Sequence, residues 1–512
     1  MSTPAASGLD RFLPATLSRD LVASLVVFLV AMPLCMGIAI ASGVPPERGL
    51  VTGIIGGIVA GALAGSPLQV SGPAAGLAVI VFEIVQKHGL SALGPILILA
   101  GIVQIVAGAL RLGQWFRAIS PAVVHGMLAG IGVLIVLGQL HVMFDRSPKS
   151  HGVDNLAAIP EAFISLTPTL GQTEAAFIIG VATIASMLLW DKFKPGKLRM
   201  LPGALLGVLV GTGLSVFFAL DVKRIVVPES IVGALAFPTA ESLALLVSPT
   251  IITTAIAIAF IASAETLLSA AAVDRMHSGV RTKYNKELFA QGVGNTLCGL
   301  VGALPMTGVI VRSSANVQAG AATRASTILH GVWILGFVAL LPWLMRMIPM
   351  ASLAGILVIT GWRLISLKHV RHLFQHYGLL PTLVWVGTFV TVITTDLLMG
   401  VLVGLALSAL ELIPHLRKLK LDIHHRGETA SAANEIELAG SATFVQLPRL
   451  TKALEGLPAE GPLRLTLARL SHIDHTCAEM IKDWLARHRA AGREVSIDAD
   501  GALRHHGLAA AH

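Results

Sequence analysis

Between residues 20 and 414 the chain is an almost unbroken succession of apolar segments, and this limits the available folds more than any other feature. The segments run at about 20–42, 49–64, 74–87, 93–110, 119–144, 172–190, 201–219, 248–272, 287–303, 310–320, 324–345, 350–365, 379–395 and 397–414. A helix crossing the hydrocarbon layer needs about 20 residues, so several of these reach spanning length and others fall short. Only 13% of the 512 residues are charged and 54% are hydrophobic. A soluble domain carries about a quarter charged residues. The polar surface is too small to coat a soluble protein, which excludes a soluble enzyme over most of the length. The expected fold is a polytopic α-helical membrane protein, and 51 glycines suit close helix–helix packing in lipid.

Fourteen spans place both termini on one side. Connections after even-numbered spans carry most of the Lys and Arg, among them Arg111, Arg117, Lys192, Lys194, Lys197, Arg199, Arg275, Arg281, Lys283 and Lys286. Those after odd-numbered spans carry fewer, such as Arg146, Lys149, Lys223, Arg224 and Arg346. Cytoplasmic loops are the Lys/Arg-rich ones, so the expectation is a multi-pass inner (plasma) membrane protein with both termini cytoplasmic. The net charge of +8 is spread between apolar runs, where it sets topology rather than binding nucleic acid. Cys35, Cys298 and Cys477 are far apart and suggest neither disulfides nor a zinc site. Residues 1–17 read as a short polar cytoplasmic segment without a removable signal peptide.

The transporter region is expected over 18–415, and the character changes after Glu411. Residues 414–426 are basic and His-rich. Beyond them, 436–447 reads as strand, 449–455 as helix, 463–467 as strand, 476–490 as amphipathic helix and 494–498 as strand. A small α/β domain over 416–502 and a disordered tail over 503–512 are expected.

The short third and tenth spans point to chemistry. Ser71-Gly-Pro-Ala-Ala-Gly76 precedes the third, and Pro305-Met-Thr-Gly308 precedes the tenth, seven spans later. That separation fits two halves of seven spans inserted with opposite topology. Broken helices at corresponding positions of inverted repeats mark a midplane binding site. A helix that starts inside the membrane presents unpaired N–H groups and partial positive charge, so two facing starts make an anion site. Arg312 adds a full positive charge there. Glu265, the only carboxylate within 248–272, is the candidate for carrying a proton or coupling cation, with Ser269 one turn on. The bland alternative is an ion pair between Glu265 and Arg312 that holds the halves together. Glu83 and Gln86 read as solvated rim residues. Gln291 and Asn295 read as interhelical hydrogen-bonding groups, and His369, His372, His376, His424 and His425 as solvated residues rather than a metal site.

These residues resemble the SulP (sulfate permease) anion transporters. The run from Pro33-Leu-Cys-Met-Gly through Val44-Pro-Pro-Glu-Arg-Gly-Leu50 is similar to the family's first-span signature. Ser71–Ala75, Asn285–Leu288, Gly294-Asn295 and the run from Pro305 through Arg312-Ser313 to Arg324 follow in family order. Leu470–Thr476 resembles the strand-to-helix turn of the family's STAS domain. The resemblance implies core and gate domains built as seven-plus-seven inverted repeats, a homodimer, elevator-like movement and no cofactor. It implies substrate contacts around Leu34, Ala74, Ala75, Gly76, Val311 and Arg312, and a coupling ion, H+ or Na+, at Glu265 with Ser269 and Ile310.

Three departures shape the expectation. Leu34 and Ile38 stand where sulfate-type members carry polar residues. Sodium-coupled bicarbonate members use an aspartate with nearby hydroxyls, whereas this chain has Glu265, Ser269 and Ile310; the missing last hydroxyl favours proton coupling. His475 replaces the phosphorylated serine of related regulators. The first span and the Asp474-His475 turn resemble bacterial members associated with carbonic anhydrases, implying bicarbonate ahead of sulfate and a functional link to such an enzyme. The alternatives are a sulfate or dicarboxylate transporter or exchanger, a nucleobase carrier of the same architecture, and an uncoupled anion channel or motor. An enzyme is the weakest reading, because no nucleophile–base pair or metal spacing is present.

Overall fold

A computed structural model describes residues 15–113, 120–149, 151–166, 171–198, 201–226, 231–277, 279–366, 370–371, 373–375, 378–411, 421–426, 434–443, 446–457, 462–490 and 492–498. Each of the fourteen expected apolar segments is helical. The first is Ala15–Ala41 and the eighth Pro249–Asp274. The second starts as Pro46–Ile55 and passes through a π-helical turn at Gly56–Ala60. The third and tenth are the short helices Ala78–His88 and Ile310–Gln318. The sixth, seventh and twelfth are Gln172–Phe193, Gly203–Phe217 and Met350–Leu364. Among the described residues five helices are long and apolar enough to cross a membrane, and Gly203–Phe217, Ala325–Leu340, Met350–Leu364, Leu379–Thr394 and Leu397–Leu410 are shorter apolar helices.

By contact density the chain divides into two compact units. One comprises residues 1–113 with 131–365, the other 114–130 with 366–512. In the first unit, glycine lets helices approach closely. An added Cβ at Gly101 of the fourth-span helix (Leu93–Ala109) would lie 2.3 Å from Thr296 Oγ1 on the ninth (Tyr284–Leu300). One at Gly292 would lie 2.6 Å from the Ile105 amide. With lipid outside, such close packing supplies the association that the hydrophobic effect gives in water.

An additional helix, Gly152–Ile164, lies between the fifth and sixth spans, where none was expected. It exposes Val153, Leu156 and Ile164, while Phe163 meets Phe144 at a centroid distance of 4.8 Å. Its Pro160 and the polar Asp154-Asn155 pair hide a helical period in the sequence.

In the second unit, Ala122, Val123 and Ala129 pack with Val384 and Trp385. Its C-terminal part is a four-stranded sheet in the order β3 (Leu421–Arg426), β4 (Asn434–Ala442), β5 (Leu463–Ile473), β6 (Val495–Asp498). β3 pairs antiparallel with β4, and β4–β5 and β5–β6 are parallel. Helices Leu447–Glu455 and His475–Ala490 cross over, burying Leu450, Ile481 and Trp484 against Leu438 and Leu467. This is the α/β pattern expected of a STAS-like domain. Two details differ: the basic run ends in a strand from Leu421, and β5 continues to Ile473, past register shifts after Thr466 and Leu470 that break the alternation legible in 463–467.

Candidate functional site

The lead-ins to the third and tenth spans meet. β1 (Ser71–Pro73) and β2 (Met306–Gly308) pair antiparallel, with Ser71 opposite Gly308 and Pro73 opposite Met306. Flanking bonds extend the ladder, Val309 N–H to Val70 O at 2.9 Å and Ala74 N–H to Pro305 O at 3.1 Å. Past the ladder each chain turns into its helix, the third through a 3-10 turn at Ala75–Leu77 and the tenth at Ile310. The first turn of a helix leaves its N–H groups without intrahelical partners, so two such turns lie at the ends of one short ribbon.

Three-residue strands cannot hold themselves in register, and buried polar side chains from other spans do so. The Asn295 amide brackets Met306, its Oδ1 accepting the Met306 N–H at 2.8 Å and its Nδ2 donating to Met306 O at 3.1 Å. Asn295 Nδ2 also donates to Gln104 Oε1 at 2.8 Å. Gln291 Nε2 donates to Ser71 Oγ at 2.6 Å and to Glu287 Oε1 at 2.9 Å. Thr266 Oγ1 accepts the Gly308 N–H at 3.1 Å, and Thr266 O accepts Gln69 Nε2 at 3.0 Å. The interhelical bond expected of Asn295 is made to Gln104, whereas Gln291 bonds to Glu287 of its own helix and to Ser71 of the ribbon. Gln69 before β1, Thr307 within β2 and Thr266 in the eighth span stand out from no sequence pattern, because the partner of an isolated polar residue is not written in its own segment.

Glu265 lies against the third-span start. A Cβ added at Gly76 would stand 2.8 Å from each of its carboxylate oxygens, so only glycine lets the backbone approach this closely. The carboxylate faces the Gly76 backbone N–H, with the Thr307 hydroxyl nearby but outside hydrogen-bonding geometry. Glu265 Oε2 and Thr307 Oγ1 are both buried without a partner. Ser269 is buried one turn further along, and Ile310 is 39% exposed.

Arg312 departs from its expected place. The side chain is fully buried, and its Nη1 donates to Cys35 Sγ at 3.3 Å. Nη1 also packs against Gly72, where an added Cβ would lie 2.1 Å away. Nε and Nη2 have no partner. No carboxylate among the described residues pairs with Arg312, so the bland ion pair with Glu265 is absent. The guanidinium sits behind the ribbon, against the first span, and is not in the cavity wall. A nine-residue helix places consecutive side chains on different faces, and Arg312 points inward while Val311 points out.

A cavity of about 660 Å³ runs along the tenth-span helix, and neither the ribbon nor the third-span start lines it. Leu34 of the first span and Val311 of the tenth line it, facing Met187, Ile356 and Thr360 of the sixth and twelfth. Asp191, Lys194 and Arg363 line its polar end. A smaller space of about 40 Å³ lies near Ala78, Phe82, Gln139 and Lys149. Ala74 and Gly76 are buried and Ala75 is partly exposed. Of the rim pair, Gln86 is exposed, whereas Glu83 is largely buried and bridged to Lys87 at 3.7 Å. His369, His372 and His376 fall outside the described residues, and among those described no three His, Cys, Asp or Glu cluster as metal ligands.

Comparison with known proteins agrees with this architecture. The profile of the sulfate permease family matches residues 17–414. The putative sulfate transporter YvdB of Bacillus subtilis is 32% identical over 401 residues, covering 76% of this chain and 72% of that protein. The bicarbonate transporter BicA of Picosynechococcus is 25% identical over 439 residues, covering 81% and 73%. The solved transmembrane domain of a cyanobacterial BicA aligns with a TM-score of 0.65 at 23% identity, covering 76% of this chain and 98% of that one. SLC26A9 aligns at 0.69 with 15% identity, covering 96% and 86%. These relatives are transporters rather than enzymes, and the chain is a multi-pass membrane protein of the sulfate permease family.

Proposed function

We propose that the protein is a secondary active transporter of a small inorganic anion, bicarbonate ahead of sulfate, driven by an ion gradient acting at Glu265. The observation that carries this reading is the β1–β2 ribbon, from whose two ends the third- and tenth-span helices start, the tenth with Val311 in the wall of a cavity that also reaches Leu34. The anion accepts from backbone N–H groups near Ala75 and Val311, and Arg312 contributes positive potential from behind. A buried cation lacking a carboxylate partner acts at several ångströms, because the low dielectric screens it little.

Bicarbonate is favoured on charge. The Born cost of dehydrating an ion rises with the square of its charge, about fourfold for a divalent one. A site walled by Leu34 and Val311 offers few side-chain donors to repay that. The names of relatives such as YvdB favour sulfate instead, which remains the second reading. For coupling, the unpartnered Glu265 Oε2 suits a proton, and the unpartnered Thr307 Oγ1 supplies a hydroxyl that a sodium ion would need. The absence of a hydroxyl at Ile310 tips the choice to the proton. The polar end of the cavity, with Lys194 and Arg363, belongs to the Lys/Arg-rich side, so the site faces the cytoplasm in this conformation. Alternating access follows by an elevator-like shift in a homodimer, as the family resemblance implies. The small space at Gln139 and Lys149 is then the closed outer route.

Uptake of labelled bicarbonate into proteoliposomes, with and without proton or sodium gradients and with sulfate as competitor, tests this reading. Gradient-driven bicarbonate uptake that sulfate fails to block is expected. Accumulation of sulfate without bicarbonate would replace the substrate, and uptake indifferent to any gradient would replace coupled transport with a channel.

A further inference from the structure

The three ionisable residues of the cavity wall all lie at its polar end. Arg363 Nη2 meets Asp191 Oδ2 at 2.5 Å, and Lys194 Nζ stands 3.9 Å from Asp191 Oδ1. Two cations thus share one carboxylate, leaving a net positive charge at the mouth of a cavity whose deeper wall is apolar. We propose that Arg363 and Lys194 form an anion-gathering site at this mouth, with Asp191 setting its strength, from which a small inorganic anion passes inward to Leu34 and Val311. The inference rests on the transport reading above and adds the residues that recruit the substrate.

A structural role does not account for the cluster. The Arg363 and Asp191 side chains are 51% and 32% exposed, and ion pairs this open contribute about 0–1 kcal/mol. The helices that carry them are already joined deeper down. Thr183 Oγ1 donates to Ser352 Oγ at 3.3 Å, and Gly355 packs so closely that an added Cβ would lie 2.9 Å from Gly180 O. The backbone around the cluster is fixed separately, since Trp190 Nε1 donates to Leu201 O at 2.8 Å and brings Gly203 against Asp191. What the position offers is electrostatic. Charges at the lip of a low-dielectric cleft focus field lines into it and raise the local concentration of counter-ions. Asp191 keeps the cations from holding the anion too tightly to release it, because an arriving anion must compete with a carboxylate already in place.

The test is anion uptake by the full-length protein in inverted vesicles, which present this end to the medium, at low and high ionic strength. At low ionic strength Arg363→Ala and Lys194→Ala should each raise KM roughly two- to fivefold with kcat kept, and Asp191→Asn should lower KM by a similar factor. Arg363→Lys should restore the KM of the unmodified protein. Lys223→Ala, at the opposite end, should leave it unchanged. All these differences should shrink at high ionic strength. An unchanged KM in both alanine variants, or shifts that persist undiminished in salt, would overturn the proposal while leaving transport itself intact. Absence of anion uptake by the unmodified protein would overturn the transport reading, and this inference with it.

Discussion

The two helix starts that meet at the β1–β2 ribbon are alike in backbone and opposite in charge. The third-span start is built of Ala74, Ala75 and Gly76 and is faced by the Glu265 carboxylate. The tenth-span start is backed by the buried Arg312 guanidinium, which no carboxylate among the described residues balances. A symmetric pair of helix dipoles would bind an anion with no preference for either side. In the proposed reading a carboxylate at one and a guanidinium at the other separate the jobs, the coupling ion going to the Glu265 side and the anion to the Arg312 side. The same low dielectric strengthens both, and the two charges are kept from cancelling because Arg312 turns away towards Cys35.

The largest effect is expected from removing the negative side. Glu265→Gln should abolish the dependence of uptake on the driving gradient while the protein still folds; gradient-dependent uptake in that variant would break the comparison. Next is the positive side. Arg312→Met keeps the buried volume and removes the charge, and should weaken anion binding by roughly tenfold or more, read by equilibrium binding of the transported anion. An unchanged affinity would show that the helix starts act alone.

A smaller effect tests the frame that holds both sides. Asn295→Ala removes three buried hydrogen bonds and leaves the Met306 backbone unpaired, at a cost of about 2–4 kcal/mol of stability, measured as loss of thermal stability in detergent. The smallest expectation lies in the C-terminal domain. Burial first, and then the Asp474 carboxylate, push the Cys477 thiol well up from its ordinary value. It should stay protonated and unreactive towards alkylating agents as pH rises through the usual thiol range. Peptide mapping should find it labelled only after denaturant is added.

The helices were legible in the sequence because apolar length reports a span directly; segments 172–190 and 248–272 became Gln172–Phe193 and Pro249–Asp274. The helix Gly152–Ile164 escaped because it lies between spans and its apolar residues are interrupted by polar ones. At the site, the glycine- and proline-rich lead-ins identified both half-helices, and the Glu265 position followed from depth in an apolar run. What composition does not encode is direction. Arg312 reads as a site cation from its position, but the short tenth helix turns it inward, towards Cys35. Nor does Ser71-Gly-Pro or Met306-Thr-Gly carry an alternating pattern, so the ribbon arises from long-range partners such as Gln291 and Asn295 rather than from strand propensity.

The most direct test is a structure of the protein in lipid nanodiscs with the transported anion bound. Density for the anion is expected between the backbone amides near Ala75 and Val311, beyond contact distance of the Arg312 guanidinium. Anion density elsewhere in the cavity, with the space between the two helix starts empty, would contradict it.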